Sequence, residues 1–178
     1  MQAGARVNGK GLVIVYTGNG KGKTTAACGT LLRAVGQGLR TATVQFLKGK
    51  WTTGERRFAE SHQLDWHVMG RGFTWESEDL RLDRQLVEEA WKLAAARILS
   101  GAFDLVILDE IVYALHYGYL SCSEVLEVLK KRPEGVHVIL TGRNAPEALV
   151  DAADLVTEMR EVKHPYRSGV GAQRGIDY

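Results

Sequence analysis

Short apolar segments recur along this chain and alternate with longer amphipathic stretches. Five of the segments are short stretches rich in Val, Ile, Leu, Ala or Phe and bounded by Gly or polar residues, which is typical of strands. In the sixth, Leu64, Trp66 and Val68 alternate with polar residues, which indicates a half-exposed strand. The predicted strands are 12–16, 41–47, 64–68, 103–108, 136–141 and 155–159.

Between these strands, apolar residues return at helical spacing. Residues 24–35 carry an apolar stripe that ends at Gly36 and Gly38, and a short helix is predicted at 55–61. Ser121 and Glu124 have capping-box spacing, and Asn144 with Glu147 predicts a second cap with Pro146 in the first turn. A long helix is predicted to begin at Ser77, with an inward face of Leu86, Val87, Ala90, Leu93, Ala94 and Ile98.

A glycine-rich stretch joins the first strand to the first helix, the context that a phosphate-binding P-loop requires. Its glycines allow backbone N–H groups to point at one anion, and the helix N-terminus adds partial positive charge. Lys23 is expected to reach the phosphates and Thr24 to hold magnesium. The usual first glycine of the motif is replaced by Thr17. The predicted nucleotide-binding residues are Gly18, Asn19, Gly20, Lys21, Gly22, Lys23, Thr24 and Thr25.

Strands that alternate with helices imply a mostly parallel sheet with helices on both faces. The predicted fold class is therefore α/β, a single-domain P-loop NTPase-like (RecA-like) domain over 11–178 that follows a mobile arm at 1–10. Ligands of such sheets bind at the carboxyl ends of the strands. The P-loop, 45–48, 109–110 and 141–143 all fall there.

The apolar run 105–108 delivers Asp109 and Glu110 beside the P-loop, in the form of a Walker-B strand. Magnesium typically takes one or two carboxylates together with phosphates and water. Either carboxylate could ligate the ion directly or through water, and Glu110 could instead orient water for hydrolysis. Arg143, just past a buried strand, is placed to contact phosphate.

The predicted loop at 69–75 contains two aromatic residues although the residues around it are mostly Gly and polar. Phe73 and Trp75 could pack onto the core, or they could form an apolar wall for a large flat ligand. Lys48 and Lys50 are weaker phosphate-binding candidates than Arg143.

Composition narrows the function classes. A net charge of +2 does not favour a nucleic-acid partner, which usually requires a clustered basic face. The two cysteines form no C-x-x-C pair, so a disulfide framework or a Cys-built metal site is not expected. Because the sequence contains neither a membrane-length apolar stretch nor an apolar signal core, we expect a cytoplasmic protein without a membrane partner.

Several of these motifs together resemble one known family. The stretch VYTGNGKGKTTAA at 15–27 is similar to the P-loop of the ATP:corrinoid adenosyltransferases (cob(I)yrinic acid a,c-diamide adenosyltransferases) of cobalamin biosynthesis and salvage. The GFTWE loop and the C-terminal GIDY are the more specific signals. The other matching motifs are VQFLKG at 44–49, GER at 54–56, LDE at 108–110, TGR at 141–143 and VKH at 162–164.

The resemblance implies transfer of the 5′-deoxyadenosyl group of ATP to corrinoid cobalt, with release of triphosphate. ATP would lie reversed, with the loop around its terminal phosphate, which agrees with the glycine missing at position 17. Lys23 and Arg143 would contact phosphate, and Thr24 and Glu110 would hold Mg²⁺. Phe73 and Trp75 would close the lower face of the corrin and displace the axial ligand of cobalt. The family also implies a homodimer, and the missing flavin and iron–sulfur motifs imply an external reductant such as a reduced flavoprotein.

Two other functions remain open on the residues alone. A P-loop small-molecule kinase would release ADP. A RecA-like nucleic-acid ATPase would use Glu110 to activate water and release orthophosphate.

Overall fold

The computed structural model describes residues 9–47, 52–70 and 80–178. Six strands are present: β1 (Val13–Thr17), β2 (Thr41–Gln45), β3 (Asp65–Val68), β4 (Leu105–Asp109), β5 (His137–Thr141) and β6 (Leu155–Glu158). The helices are α1 (Lys23–Gly36), α2 (Gly54–Ser61), α3 (Leu80–Leu99), α4 (Ile111–His116), α5 (Cys122–Lys131), α6 (Glu147–Ala152) and a 3₁₀ turn (Pro165–Ser168). All six predicted strands are confirmed to within two residues at each end.

The six strands form one parallel sheet in the order β3-β2-β4-β5-β1-β6. The strand order reverses after β1, because the chain crosses from β1 past two strand positions to β2 and later returns to β6. Such a reversal opens a crevice at the carboxyl ends of the strands. Strand β5 lies between β1, which precedes the P-loop, and β4, which ends in Asp109.

Helices cover both faces of the sheet, as predicted. On one face Ala27, Leu31 and Ala34 of α1 pack on side chains such as Ile107 and Ile139. On the other face α3, α4, α5 and α6 pack on the alternate residues of the same strands, including Val106 and Leu140. Within the described ranges, no helix is long and apolar enough to cross a membrane.

The long helix α3 presents the predicted apolar face. Val87, Ala90, Ala94 and Ile98 are buried, and Leu86 and Leu93 are partly buried. Trp91 also is buried and donates its indole N–H to Glu124 of α5 over 2.7 Å. The predicted start of helix α3 at Ser77 lies outside the described residues.

Both predicted helix caps are wrong in their side-chain contacts. Ser121 does precede α5, but its hydroxyl bonds Ser123 instead of the helix N–H groups, and Glu124 is taken by Trp91. At α6 the N-cap is Pro146, without a side-chain cap, and Asn144 adopts a left-handed conformation two residues earlier. A tertiary partner outcompetes the local cap in the first case, and a turn replaces it in the second.

Candidate active site

The P-loop lies between the end of β1 and the start of α1. Gly18 has φ 94°, and a Cβ there would lie 2.5 Å from the carbonyl oxygen of Met159. The Gly20 N–H donates to the same carbonyl over 2.6 Å, so the residue that follows β6 packs against the P-loop and stabilises its conformation. Thr17, which replaces the usual glycine, is still a strand residue, and its hydroxyl accepts the Ala145 N–H over 3.2 Å. The position therefore anchors the loop after β5, a task that glycine could not perform.

The positive end of α1 faces this loop. Gly22, with φ 115°, is the N-cap, and the first turn carries no acidic side chain that would neutralise the helix dipole. The N–H groups of this turn have no intrahelical partner and are suited to an anion. Lys23 folds over the loop and donates to the carbonyl oxygens of Gly18 and Gly20, each over 2.7 Å.

A cleft of about 540 Å³ opens above the loop. Residues 20–25 of the P-loop line it, with Glu110 and Arg143 from the ends of β4 and β5. The structure thus brings together the side chains predicted to act on phosphate and magnesium within its described residues. Asn19 instead lines a neighbouring depression beside Glu158 and Arg160.

A row of hydrogen-bonded side chains crosses four strands below the cleft; we call Thr141, Asp109, Gln45 and Trp66 the polar row. The Asp109 side chain is 1% exposed at the end of β4. Its Oδ1 accepts the hydroxyls of Thr24 (2.9 Å) and Thr141 (2.8 Å), and its Oδ2 accepts the Gln45 amide over 2.9 Å. Thr141 in turn accepts the Glu110 N–H over 2.8 Å, so one network orders both carboxylate residues.

These oxygen groups fit a magnesium ion. Because the Thr24 hydroxyl donates its proton to Asp109, its lone pairs remain for a cation, and Glu110 contributes a carboxylate to the same cleft. Magnesium prefers hard oxygen ligands and completes its shell with phosphate and water. Within the described residues no cluster of three or more His, Cys, Asp or Glu could hold a metal ion.

Opposite charges meet at the cleft wall. Burial lowers the pKa of Lys23, the positive charge of Arg143 lowers it further, and the Glu110 carboxylate partly offsets both. Tyr113, which also lines the cleft, has its pKa raised mainly by burial. A bound polyphosphate would relieve the repulsion between Lys23 and Arg143.

Arg143 directly follows Gly142, where a Cβ would lie 2.6 Å from that of Val112, so glycine lets the turn pass close to α4.

Comparison with known proteins agrees with the site. The family model for the ATP:corrinoid adenosyltransferases BtuR/CobO/CobP matches residues 9–178. The chain belongs to this family. Among similar proteins, the corrinoid adenosyltransferase of Escherichia coli (strain K12) is 46% identical over 95% of this chain and 86% of its own length. That of Sinorhizobium sp. is 47% identical over 95% of this chain and 81% of its own, and that of Pseudomonas aeruginosa is 44% identical over 95% and 84%.

The adenosyltransferase cleft also contains residues that were not predicted as site residues. They are Cys28, Gly54, Glu55, Tyr113 and the C-terminal residues 175–178. The C-terminal segment is held over the loop by an ion pair between Lys21 and Asp177. The GER and GIDY motifs of the resemblance already contained Gly54, Glu55 and 175–178. Tyr113 carried no sequence signal, because it belongs to the short helix α4, which was not predicted.

Four predicted residues lie outside the described part of the chain. They are Phe73 and Trp75, the two aromatic candidates, and Lys48 and Lys50, the two weaker cation candidates. Their roles in this adenosyltransferase stay predictions. The same holds for the arm at 1–10, of which Gly9 and Lys10 are described; Lys10 pairs with Asp154 over 2.9 Å.

Proposed function

We propose that the protein transfers the 5′-deoxyadenosyl group of ATP to the cobalt(I) of a corrinoid: cobalamin, cobinamide or cobyrinic acid a,c-diamide. The electron pair of cobalt(I) attacks carbon 5′ and forms the cobalt–carbon bond, while the bond from carbon 5′ to the triphosphate oxygen breaks and triphosphate leaves with the electron pair of that broken bond. The observation that carries the proposal is a P-loop cleft lined by Lys23, Arg143 and Glu110 in a chain that matches the family from residue 9 to 178.

Because the nucleophile is the cobalt of the substrate, the protein needs no general base. Its tasks are to hold carbon 5′ against cobalt and to stabilise the leaving triphosphate. Lys23, Arg143 and the N–H groups of α1 supply positive charge for the second task. Magnesium, held by Thr24 and Glu110 with Asp109 behind Thr24, would neutralise further phosphate charge.

ATP lies, in this proposal, with its terminal phosphate inside the loop. Thr17, at the position of the usual first glycine, accepts the Ala145 N–H, and Lys23 closes over the loop through its bond to Gly18. A compact terminal phosphate suits such a short cradle. Residues 20–25 would then contact the phosphates, with Gly18 and Asn19 forming the outer turn.

Phe73 and Trp75 would form the wall against the lower face of the corrin. An apolar wall that displaces the axial ligand would ease reduction of cobalt(II) to cobalt(I). The electron would come from an external reductant such as a reduced flavoprotein. A homodimer in the cytoplasm, without nucleic-acid or membrane partner, completes the proposal.

Product analysis tests this function against the other reactions of P-loop proteins. The protein is incubated with ATP, magnesium and chemically reduced cobalamin, and phosphate products are resolved while the corrin spectrum is recorded. Adenosyl transfer yields triphosphate in step with the spectrum of a cobalt–carbon bond. ADP without orthophosphate would indicate a kinase, and ADP with orthophosphate would indicate an ATPase. Either result without alkylated corrin would overturn the proposal.

A further inference from the structure

Gln45 is a buried polar residue, and both the carbonyl oxygen and the NH₂ group of its side-chain amide form hydrogen bonds. Its side chain is 1% exposed and lies at the carboxyl end of β2, in register with Asp109 of β4. Its Nε2 donates to Asp109 Oδ2 over 2.9 Å, and its Oε1 accepts the Trp66 indole N–H over 3.2 Å. Burial of an amide costs free energy unless its polar atoms form hydrogen bonds. Here the amide bonds Asp109, which in turn bonds Thr24 of the P-loop.

Trp66 determines which way this amide points. An indole N–H can only donate, so the group that faces Trp66 must be the carbonyl oxygen Oε1. The NH₂ group then faces the Asp109 carboxylate. The opposite orientation would place a carbonyl oxygen against a carboxylate oxygen and a donor against a donor.

The orientation of the Gln45 amide affects the Thr24 hydroxyl through the Asp109 carboxylate. With Oδ2 held by Gln45, Oδ1 is turned toward the hydroxyls of Thr24 and Thr141. The Thr24 proton is thereby directed away from the cleft, and its lone pairs point where a cation would bind. Without the Gln45 donor, the carboxylate would lose one of the bonds that fix its orientation, and the orientation of the Thr24 hydroxyl would be less well fixed.

We propose that Gln45 and Trp66 are positioning residues that set the affinity of the Thr24 site for magnesium-bound nucleotide without touching it. The inference rests on the proposed binding of magnesium and ATP, and it does not depend on the corrin chemistry. Partners behind metal ligands typically change metal affinity by about 10- to 100-fold when they are removed. A hydrogen-bond chain from β3 to the P-loop also makes the Trp66 indole a reporter of the occupied site.

The first experiment measures ATP binding by calorimetry as a function of magnesium concentration, with no corrinoid present. Gln45→Leu removes both hydrogen bonds of the side-chain amide. Trp66→Phe keeps an aromatic ring but removes the indole N–H that orients the amide. The matched control is Trp91→Phe, which also removes a part-buried indole hydrogen bond, the one to Glu124 on the opposite face of the sheet. Melting temperatures of all variants are recorded alongside.

We expect the magnesium concentration for half-maximal ATP binding to rise about 10- to 100-fold in Gln45→Leu. Trp66→Phe should show a severalfold rise, and Trp91→Phe should stay within about twofold of wild type despite its lower melting temperature. Trp66→Phe preserves the test if Gln45→Leu does not fold. Magnesium dependence in both Gln45 and Trp66 variants equal to that of Trp91→Phe would overturn the inference.

The second readout is the ¹H–¹⁵N indole resonance of Trp66, assigned by its loss in Trp66→Phe. It should shift when magnesium and ATP are added to wild type and stay fixed in Gln45→Leu, whereas the Trp91 resonance stays fixed in both. An unmoved Trp66 resonance in nucleotide-saturated wild type would also overturn the inference. If the resonance moves but no alkylated corrin forms in the product assay, the positioning role stands and the proposed function fails.

Discussion

The ammonium group of Lys23 lies 2.7 Å from the carbonyl oxygen of Gly18, so the lysine predicted to bind phosphate closes over its own loop. Its burial and the nearby Arg143 lower its pKa. A cation held this way is poorly compensated, and an incoming phosphate offers it stronger bonds than two carbonyl oxygens.

Replacement of Lys23 by Ala should therefore abolish transfer. We expect a loss of at least about 10²-fold in turnover, since removal of one preorganised group that stabilises developing charge costs that much. Steady-state transfer assays and calorimetry with ATP measure the effect. Lys130→Ala, at an exposed position of α5, is the control and should keep wild-type activity. Substantial transfer by Lys23→Ala would remove the lysine from the mechanism.

The two carboxylates after β4 should respond differently to neutralisation. Glu110→Gln changes a partly exposed group at the cleft, so we expect an unchanged melting temperature and a magnesium requirement raised about tenfold or more, because a charged contact contributes about 1.5–3 kcal/mol. Asp109→Asn places an amide against the Gln45 amide and should lower both the melting temperature and magnesium affinity.

Melting curves and magnesium titrations of the two variants separate these roles. If Glu110→Gln titrates with magnesium like wild type, the assignment of Glu110 to the metal is contradicted.

His137 predicts a pH dependence of stability far from the active site. Its Nδ1 accepts the Leu12 N–H over 3.1 Å, and burial first, then the charge of Arg132, lowers its pKa from 6.5. Between the folded and unfolded pKa values the unfolded chain binds more protons, so stability is full above pH 6.5 and falls as the pH drops below it.

His137→Asn, whose side-chain oxygen can replace Nδ1 as acceptor, should flatten this dependence. Denaturant unfolding between about pH 5 and 8 compares the two proteins, and their stability difference should be constant above about pH 7.5. Asp154, whose pKa is lowered from 3.8, titrates below this window. Parallel curves for both proteins across the whole range would rule out the role assigned to His137.

Phe73 and Trp75 should matter most when cobalt must be reduced. An apolar wall that removes the axial ligand assists the reduction step, whereas pre-reduced cobalt(I) has no need of it. Phe73→Ala and Trp75→Ala should therefore lower turnover from cobalt(II) by a larger factor than turnover from cobalt(I). Equal losses in both assays would contradict an axial-ligand role.

The strands were predictable because β1, β2, β4 and β5 are largely buried and are rich in apolar residues between glycines or polar loops. Helix α4 was not, because Ile111 to Leu115 are almost all buried and show no polar periodicity after β4. The cap predicted at α5 failed because Trp91 binds Glu124, a contact between residues 33 positions apart. The cap predicted at α6 failed because a turn with Asn144 in a left-handed conformation takes its place.

The P-loop, Asp109, Glu110 and Arg143 could be placed at one edge of the sheet from motif and strand order. The polar row could not be predicted, because it depends on the register of Gln45 with Asp109 and on a bond from Trp66 of a third strand. A glutamine inside the apolar strand 41–47 was the one local sign of it.

The central claim is that carbon 5′ of ATP becomes bonded to cobalt while triphosphate leaves intact. ATP labelled with ¹³C at the 5′ position, reduced cobalamin, magnesium and the protein provide the direct measurement, with ¹³C spectra of the corrin and ³¹P spectra of the phosphates. The account predicts a ¹³C resonance from a carbon bonded to cobalt and one triphosphate per label transferred. Label that remains in ATP, ADP or AMP while phosphate accumulates would contradict it.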